Sequence, residues 1–154
     1  MNSRTRGYVY VAGQFLLLFV LFTAPRQANP FGPLSDLLSY AGIALMFAGV
    51  IVLVMSFINL GRSLTANPVP KETAELVTAG IYARVRHPIY FALLLLAFGV
   101  VLDAGWWPQS IIAGMLYIQL QIKASFEESL LRKKYPAYAS YAAKTPMFIP
   151  RLSK

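Results

Sequence analysis

The 154-residue chain has no cysteine and a single histidine. The first absence excludes disulfides, thiolate metal sites and thiol nucleophiles, and leaves the redox compartment unspecified. The second excludes a metal site built from several imidazoles. Charge is scarce as well: 13% of residues are charged, against roughly 25% in soluble domains, while 57% are hydrophobic. So much apolar surface needs lipid to cover it. A net charge of +8 raises nucleic acid as a partner, but the basic residues stand at the ends of apolar runs and form no polar, aromatic-interleaved face. No nucleic acid is expected.

The first apolar run, Tyr8 to Ala24, follows Arg4 and Arg6. A signal peptide is the competing reading, disfavoured because Phe22-Thr23-Ala24 runs into Pro25 and does not present small residues in an A-x-A pattern. The run is read as a first membrane span. Pro25 to Asp36, with three prolines, an asparagine and a glycine, forms a short external loop. Leu37 to Leu60 is 24 residues without a charge, the clearest span, and Gly42 and Gly49 would let a neighbouring helix approach closely.

From Gly61 to Pro88 the chain turns polar, a loop long enough to carry function. Two apolar runs follow, Ile89 to Leu102 and Trp106 to Ile122, reading as a tight helical hairpin around Asp103-Ala104-Gly105. The first arm is short for a span and is expected to draw on loop residues before Pro88. Trp106 and Trp107 suit the outer interface. The last helix is expected to start near Pro108 and continue to Lys134, its final turns standing in the cytoplasm.

Lys and Arg number two before the first span, four in the long loop and seven from Lys123 onward, against Arg26 alone on the other side. The positive-inside rule then puts both termini and the 61–88 loop in the cytoplasm. The expected fold is an all-α, multi-pass integral membrane protein of about four transmembrane helices with a cytoplasmic C-terminal helical extension. Residues 1–60 supply two N-terminal spans, and residues 61–154 a functional half within the same structural domain. No internal repeat or low-complexity tract is present.

Three segments carry chemistry. In Arg86-His87-Pro88, proline favours a helix start, so free backbone N–H groups sit beside a cation and suit a carboxylate or phosphate. Anchoring at lipid headgroups explains the same residues. Glu127 and Glu128 point about 100° apart on a helix, so one faces a pocket while the other flanks it. As solvated acids they would instead offset Arg132, Lys133 and Lys134. Both are expected at the solvent-reachable end of the helix, so that glutamine in either place weakens ligand binding without unfolding. Tyr135, Tyr138 and Tyr141, spaced by three, share one helical face. That face fits the membrane surface or a lid over an aromatic ligand, and the interfacial reading is preferred.

Taken in order, Gly80-x-Tyr82, Arg86-His87-Pro88-x-Tyr90, Glu127-Glu128-x-x-Leu131, Tyr135-Pro136-x-Tyr138-x-x-Tyr141, Pro146 and Pro150 resemble the membrane methyltransferases that include isoprenylcysteine carboxyl methyltransferases and phospholipid N-methyltransferases. The resemblance runs from about Leu60 to Pro150. It implies S-adenosylmethionine as cofactor, held on the cytosolic side by Tyr82, Arg86, His87, Pro88, Tyr90, Glu127 and Glu128. It also implies a small or lipid-like acceptor entering from the bilayer and a basic residue, Arg132 or Lys133, that handles it. Ile81 departs from the proline often found between Gly80 and Tyr82.

The charges agree with this: the cofactor's carboxylate suits Arg86 and the helix N-terminus, and its ammonium and sulfonium suit the glutamates. A carboxylate acceptor needs no general base, whereas an amine needs one such as His87 or a glutamate. No metal is required in either version. The rival readings are an NADPH-dependent sterol or steroid reductase, whose phosphates would want more cations and not two adjacent acids, and a non-enzymatic membrane scaffold.

Overall fold

The computed structural model describes residues 2–70, 72–105 and 107–150. Every regular element among them is helical: α1 (Ser3–Thr23), α2 (Ser35–Leu60), α3 (Pro88–Ala104), α4 (Trp107–Lys134) and α5 (Tyr138–Lys144), with short 3₁₀ turns at Gly32–Leu34, Gly61–Ser63 and Gly80–Ala83. Trp106, one of the two tryptophans assigned to the outer interface, lies outside the described residues, as do Lys71, Arg151 and Lys154 from the count of basic residues.

Local chemistry sets the helix ends. Asn2 caps α1 by accepting from the Arg4 N–H, and Pro25 denies the helix continuation beyond Ala24. Pro88 occupies the first position of α3, where a missing N–H costs nothing. The helix begins there and takes no turn from the preceding loop, contrary to the expectation that it would. The backbone N–H groups of Arg86 and His87 are committed elsewhere, to the carbonyls of Pro146 (2.9 Å) and Met147 (3.1 Å), which holds both residues out of the helix. Gly105 ends α3 at φ 57°, a left-handed cap whose N–H returns to Val101 O at 2.7 Å. α4 runs unbroken for 28 residues, about 42 Å.

Neighbouring helices alternate in direction. A Cβ added at Gly42 would lie 2.5 Å from Gly99 O, and one at Gly49 would lie 3.0 Å from Ala92 O, which gives an antiparallel α2–α3 pair with backbones in contact at the anticipated glycines. α1 lies antiparallel to α4, with Gln109 donating to Pro25 O at one end and the Arg6 guanidinium 5.0 Å from the Phe126 ring at the other. Leu93, Ala97, Val100, Leu116 and Leu120 form the centre where α3 meets α4.

Large apolar side chains remain exposed along α1 and α2, among them Phe15, Phe19, Tyr40, Phe47 and Ile58. These two helices are long and apolar enough to cross a membrane; α3 is apolar but shorter. At the end bearing residues 24–34, Arg26 pairs with Asp103 at 2.5 Å, and Asp103 also accepts from Ser39 at 2.6 Å. The opposite end collects the N-terminus, the 61–87 loop, the end of α4 and α5.

Candidate functional site

At that second end a cavity of about 330 Å³ lies between α1, the end of α2, the 63–77 loop, the start of α3, α4 and α5. Its volume is that of a small-molecule site. Tyr82, Arg86, His87, Pro88, Tyr90 and Glu127 all line it, so segments about 40 residues apart in the chain meet on one wall.

The two glutamates divide their work. Glu127 faces the cavity, its Oε2 accepting from Tyr90 Oη at 2.6 Å. The His87 Nδ1 is 3.8 Å away, and no lysine or arginine among the described residues reaches it as an ion pair. Glu128 stands behind the wall. Its Oε1 takes Arg86 Nε at 2.7 Å and His87 Nε2 at 3.1 Å, with its side chain only 8% exposed. Burial alone would raise the Glu128 pKa, but the hydrogen bonds from His87 and Arg86 and their nearby charge outweigh it and hold the carboxyl at about 2. Glu128 is therefore not the solvent-reachable acid expected from the sequence, because α4 packs this face against the segment before α3.

Arg86 is likewise engaged by the protein. Besides Glu128 it donates through Nη1 to the carbonyls of Ala142 (2.9 Å) and Thr145, so it clamps the C-terminal end of α5 as well as lining the cavity. His87 stacks on Tyr90 with centroids 5.1 Å apart and planes 2° from parallel, and Phe148 meets both rings edge-on.

The tyrosines of the tail turn inward, which corrects the preference for a membrane-surface role. Tyr135, Tyr138 and Tyr141 line the cavity. The Tyr135 hydroxyl donates to Ala74 O, the Tyr141 hydroxyl to Tyr82 O at 2.6 Å, and Tyr138 is fully buried. Burial first, and then Glu127 and Tyr141, push the Tyr82 phenol above its usual range. Burial pushes Tyr141 up to about 12, opposed by Arg86. The Tyr82 and Tyr141 phenols therefore stay protonated at neutral pH.

Of the two basic residues considered for the acceptor, neither lines the cavity. Arg132 is half-exposed, 3.7 Å from Glu128 and against the Tyr138 ring, and Lys133 is exposed. The sequence reading passed over Lys123 and Gln14. Lys123 was counted only as a topological charge, yet it is buried on the cavity wall, donating to Gln14 Oε1 at 2.6 Å and lying 5.0 Å from the centre of the Tyr90 ring. A glutamine inside an otherwise apolar span was the available signal, since such a group needs a partner.

A family model described as phospholipid methyltransferase matches residues 37–138. The chain belongs to this methyltransferase family. The match begins inside α2, earlier than the motifs suggested, and stops at the start of α5. Together with the two apolar helices it makes this a membrane protein. Among curated relatives, the nickel-cobalt-cadmium resistance protein NccN of Alcaligenes xylosoxydans xylosoxydans is 31% identical over 121 residues, covering 75% of this chain and 54% of that protein. The cobalt-zinc-cadmium resistance protein CzcN of Cupriavidus metallidurans is 31% identical over 84 residues, covering 54% and 39%. The chain thus spans about half or less of the length of these relatives.

Proposed function

We propose that this protein is a multi-pass membrane methyltransferase that uses S-adenosylmethionine and acts on a small or lipid-like acceptor. One observation carries the cofactor assignment: Glu127 presents a carboxylate, without a lysine or arginine partner among the described residues, to an aromatic-lined cavity of small-molecule size. Such a carboxylate favours a cationic ligand, and electron-rich ring faces add to the attraction. The start of α3 contributes the N–H groups of Ile89 and Tyr90, which suit a ligand carboxylate. Glu127, Tyr90, Tyr82 and the α3 N-terminus would hold the group, with Arg86 and Glu128 positioning the wall behind it.

When bound, S-adenosylmethionine supplies an electrophilic methyl group. The protein's share is to orient and dehydrate the two reactants: Tyr135, Tyr138 and Tyr141 close the cavity on one side, and Val11, Phe15 and Phe57 give it an apolar flank toward α1 and α2. That flank suits an acceptor arriving from lipid. The alternating helices and the clustering of basic residues at the cavity end support four spans with both termini and the 61–88 loop in the cytoplasm. The metal-resistance names of the relatives are compatible with many roles for a membrane methyltransferase. Among the described residues no three His, Cys, Asp or Glu side chains group as metal ligands.

Calorimetric titration of the detergent-purified protein with S-adenosylhomocysteine and, separately, with NADPH tests the reading. Saturable binding of the first and not the second is the expected result. Binding of NADPH alone would move the protein to a reductase chemistry, and binding of neither would contradict an enzymatic cofactor site.

A further inference from the structure

Lys123 is 3% exposed, among the most thoroughly buried polar residues described, and it sits where α1 and α4 meet at the cavity wall. Its ammonium carries three hydrogens and makes one hydrogen bond, to the neutral amide oxygen of Gln14 at 2.6 Å, with the face of Tyr90 nearby. No carboxylate among the described residues lies within ion-pair distance of it. The Glu127 carboxylate favours its charge from beyond ion-pair distance, so the buried ammonium is compensated only in part, which is costly. Merely tying α1 to α4 would not require the charge, because Gln119 does that with a neutral bond to Tyr10 O at 2.8 Å.

Glu127 and Lys123 are four residues apart on α4 and therefore on one face, a helical turn from each other along the cavity. The cavity thus offers an anion at its outer end and a cation one turn deeper, toward the middle of the bundle. The apolar side chains of Val11 and Phe15, on either side of Gln14 in α1, and of Phe57 also line the cavity. A buried cation beside an apolar wall is complementary to an amphiphile with an anionic head.

We propose that Lys123, steered by Gln14, is the acceptor-side residue of this cavity and holds the anionic group, carboxylate or phosphate, of an amphiphilic ligand. Calling that ligand the acceptor rests on the methyltransferase reading; the anion subsite itself does not. Lys123 takes the role that Arg132 and Lys133 cannot fill from outside the cavity wall. Gln14 fixes the ammonium through one hydrogen and leaves two for the ligand.

The test is displaceable, saturable binding of radiolabelled octanoate, octyl phosphate and octanol to the full chain in neutral detergent, comparing wild type with Lys123→Met and Gln14→Ala. Octanoate or octyl phosphate should bind wild type more tightly than octanol, and Lys123→Met should weaken the anions at least tenfold while changing octanol less than twofold. The tighter of the two anions identifies the head group. Gln14→Ala keeps the charge and loses only its steering, so a smaller loss of anion binding is expected there, and this variant carries the test if Lys123→Met does not fold. Anion binding that matches octanol in wild type, or that survives unchanged in the folded variants, overturns the proposal. S-Adenosylhomocysteine titrated into the same samples separates the two readings: its failure to bind wild type counts against the cofactor, whereas Lys123-dependent octanoate binding still upholds the anion subsite.

Discussion

Arg86 Nε and Glu128 Oε1 lie 2.7 Å apart behind the cavity wall, and through this pair the start of α3, the end of α4 and the C-terminal end of α5 become one unit. The carboxylate also takes His87, so a single oxygen serves two donors. Removing the charge leaves a buried guanidinium without its counterion.

Glu128→Gln should therefore destabilise the protein by about 3 kcal/mol, the usual cost of breaking one partner from a buried ion pair. Chemical denaturation in detergent measures it. A loss below ~1 kcal/mol would show that the pair is solvated, as the sequence alone had suggested.

The same carboxylate gives a pH signature. Because Glu128 is held at about 2 against an ordinary value of 4.5, its contribution is complete above about pH 4.5 and disappears as pH falls toward 2. Thermal unfolding followed from pH 6 to pH 2 should show a decline in wild type that is shallower in Glu128→Gln over the 4.5 to 2 window. Parallel curves for the two proteins would count against the assignment.

Backbone contact between α2 and α3 makes a sharper steric prediction. At Gly42 an added Cβ meets the carbonyl of Gly99 at 2.5 Å, whereas at Gly114 nothing lies within 4 Å. Gly42→Val should cost about 1–3 kcal/mol by forcing the helices apart, and Gly114→Ala should be neutral or stabilising by up to about 1 kcal/mol through helix propensity. Equal behaviour of the two variants would remove the close approach.

A milder effect is expected from Tyr141→Phe, which deletes only the 2.6 Å bond to Tyr82 O. A loss of about 1 kcal/mol is the ordinary worth of such a bond. Ligand titration should in addition show weaker binding, since the bond fixes the tail against the Tyr82 wall; stability and affinity both at wild-type values would mean the tail is held by other contacts.

Much of this architecture was legible in residue patterns. The uncharged run from Leu37 to Leu60 became α2 almost residue for residue, and its glycines met α3 as anticipated. The 100° offset between Glu127 and Glu128 foretold that one would face the pocket and the other flank it. Which one, and that the flanking acid would be buried, depended on Arg86 and on Thr145 and Ala142, which arrive from almost 60 residues further along. Periodicity likewise put Tyr135, Tyr138 and Tyr141 on one face but could not name the neighbour of that face. Lys123 was misread for a related reason: one residue past an apolar run, a lysine looks like a topological charge until the opposing helix supplies Gln14.

The most direct measurement compares S-adenosylhomocysteine affinity across wild type, Glu127→Gln and Tyr90→Phe, with thermal unfolding of each sample alongside. Glu127→Gln should weaken binding at least tenfold while leaving the unfolding temperature within a few degrees of wild type. Tyr90→Phe, which removes the hydroxyl orienting Glu127, should weaken binding less. Wild-type affinity in a folded Glu127→Gln protein would contradict the assignment of this cavity to the cofactor.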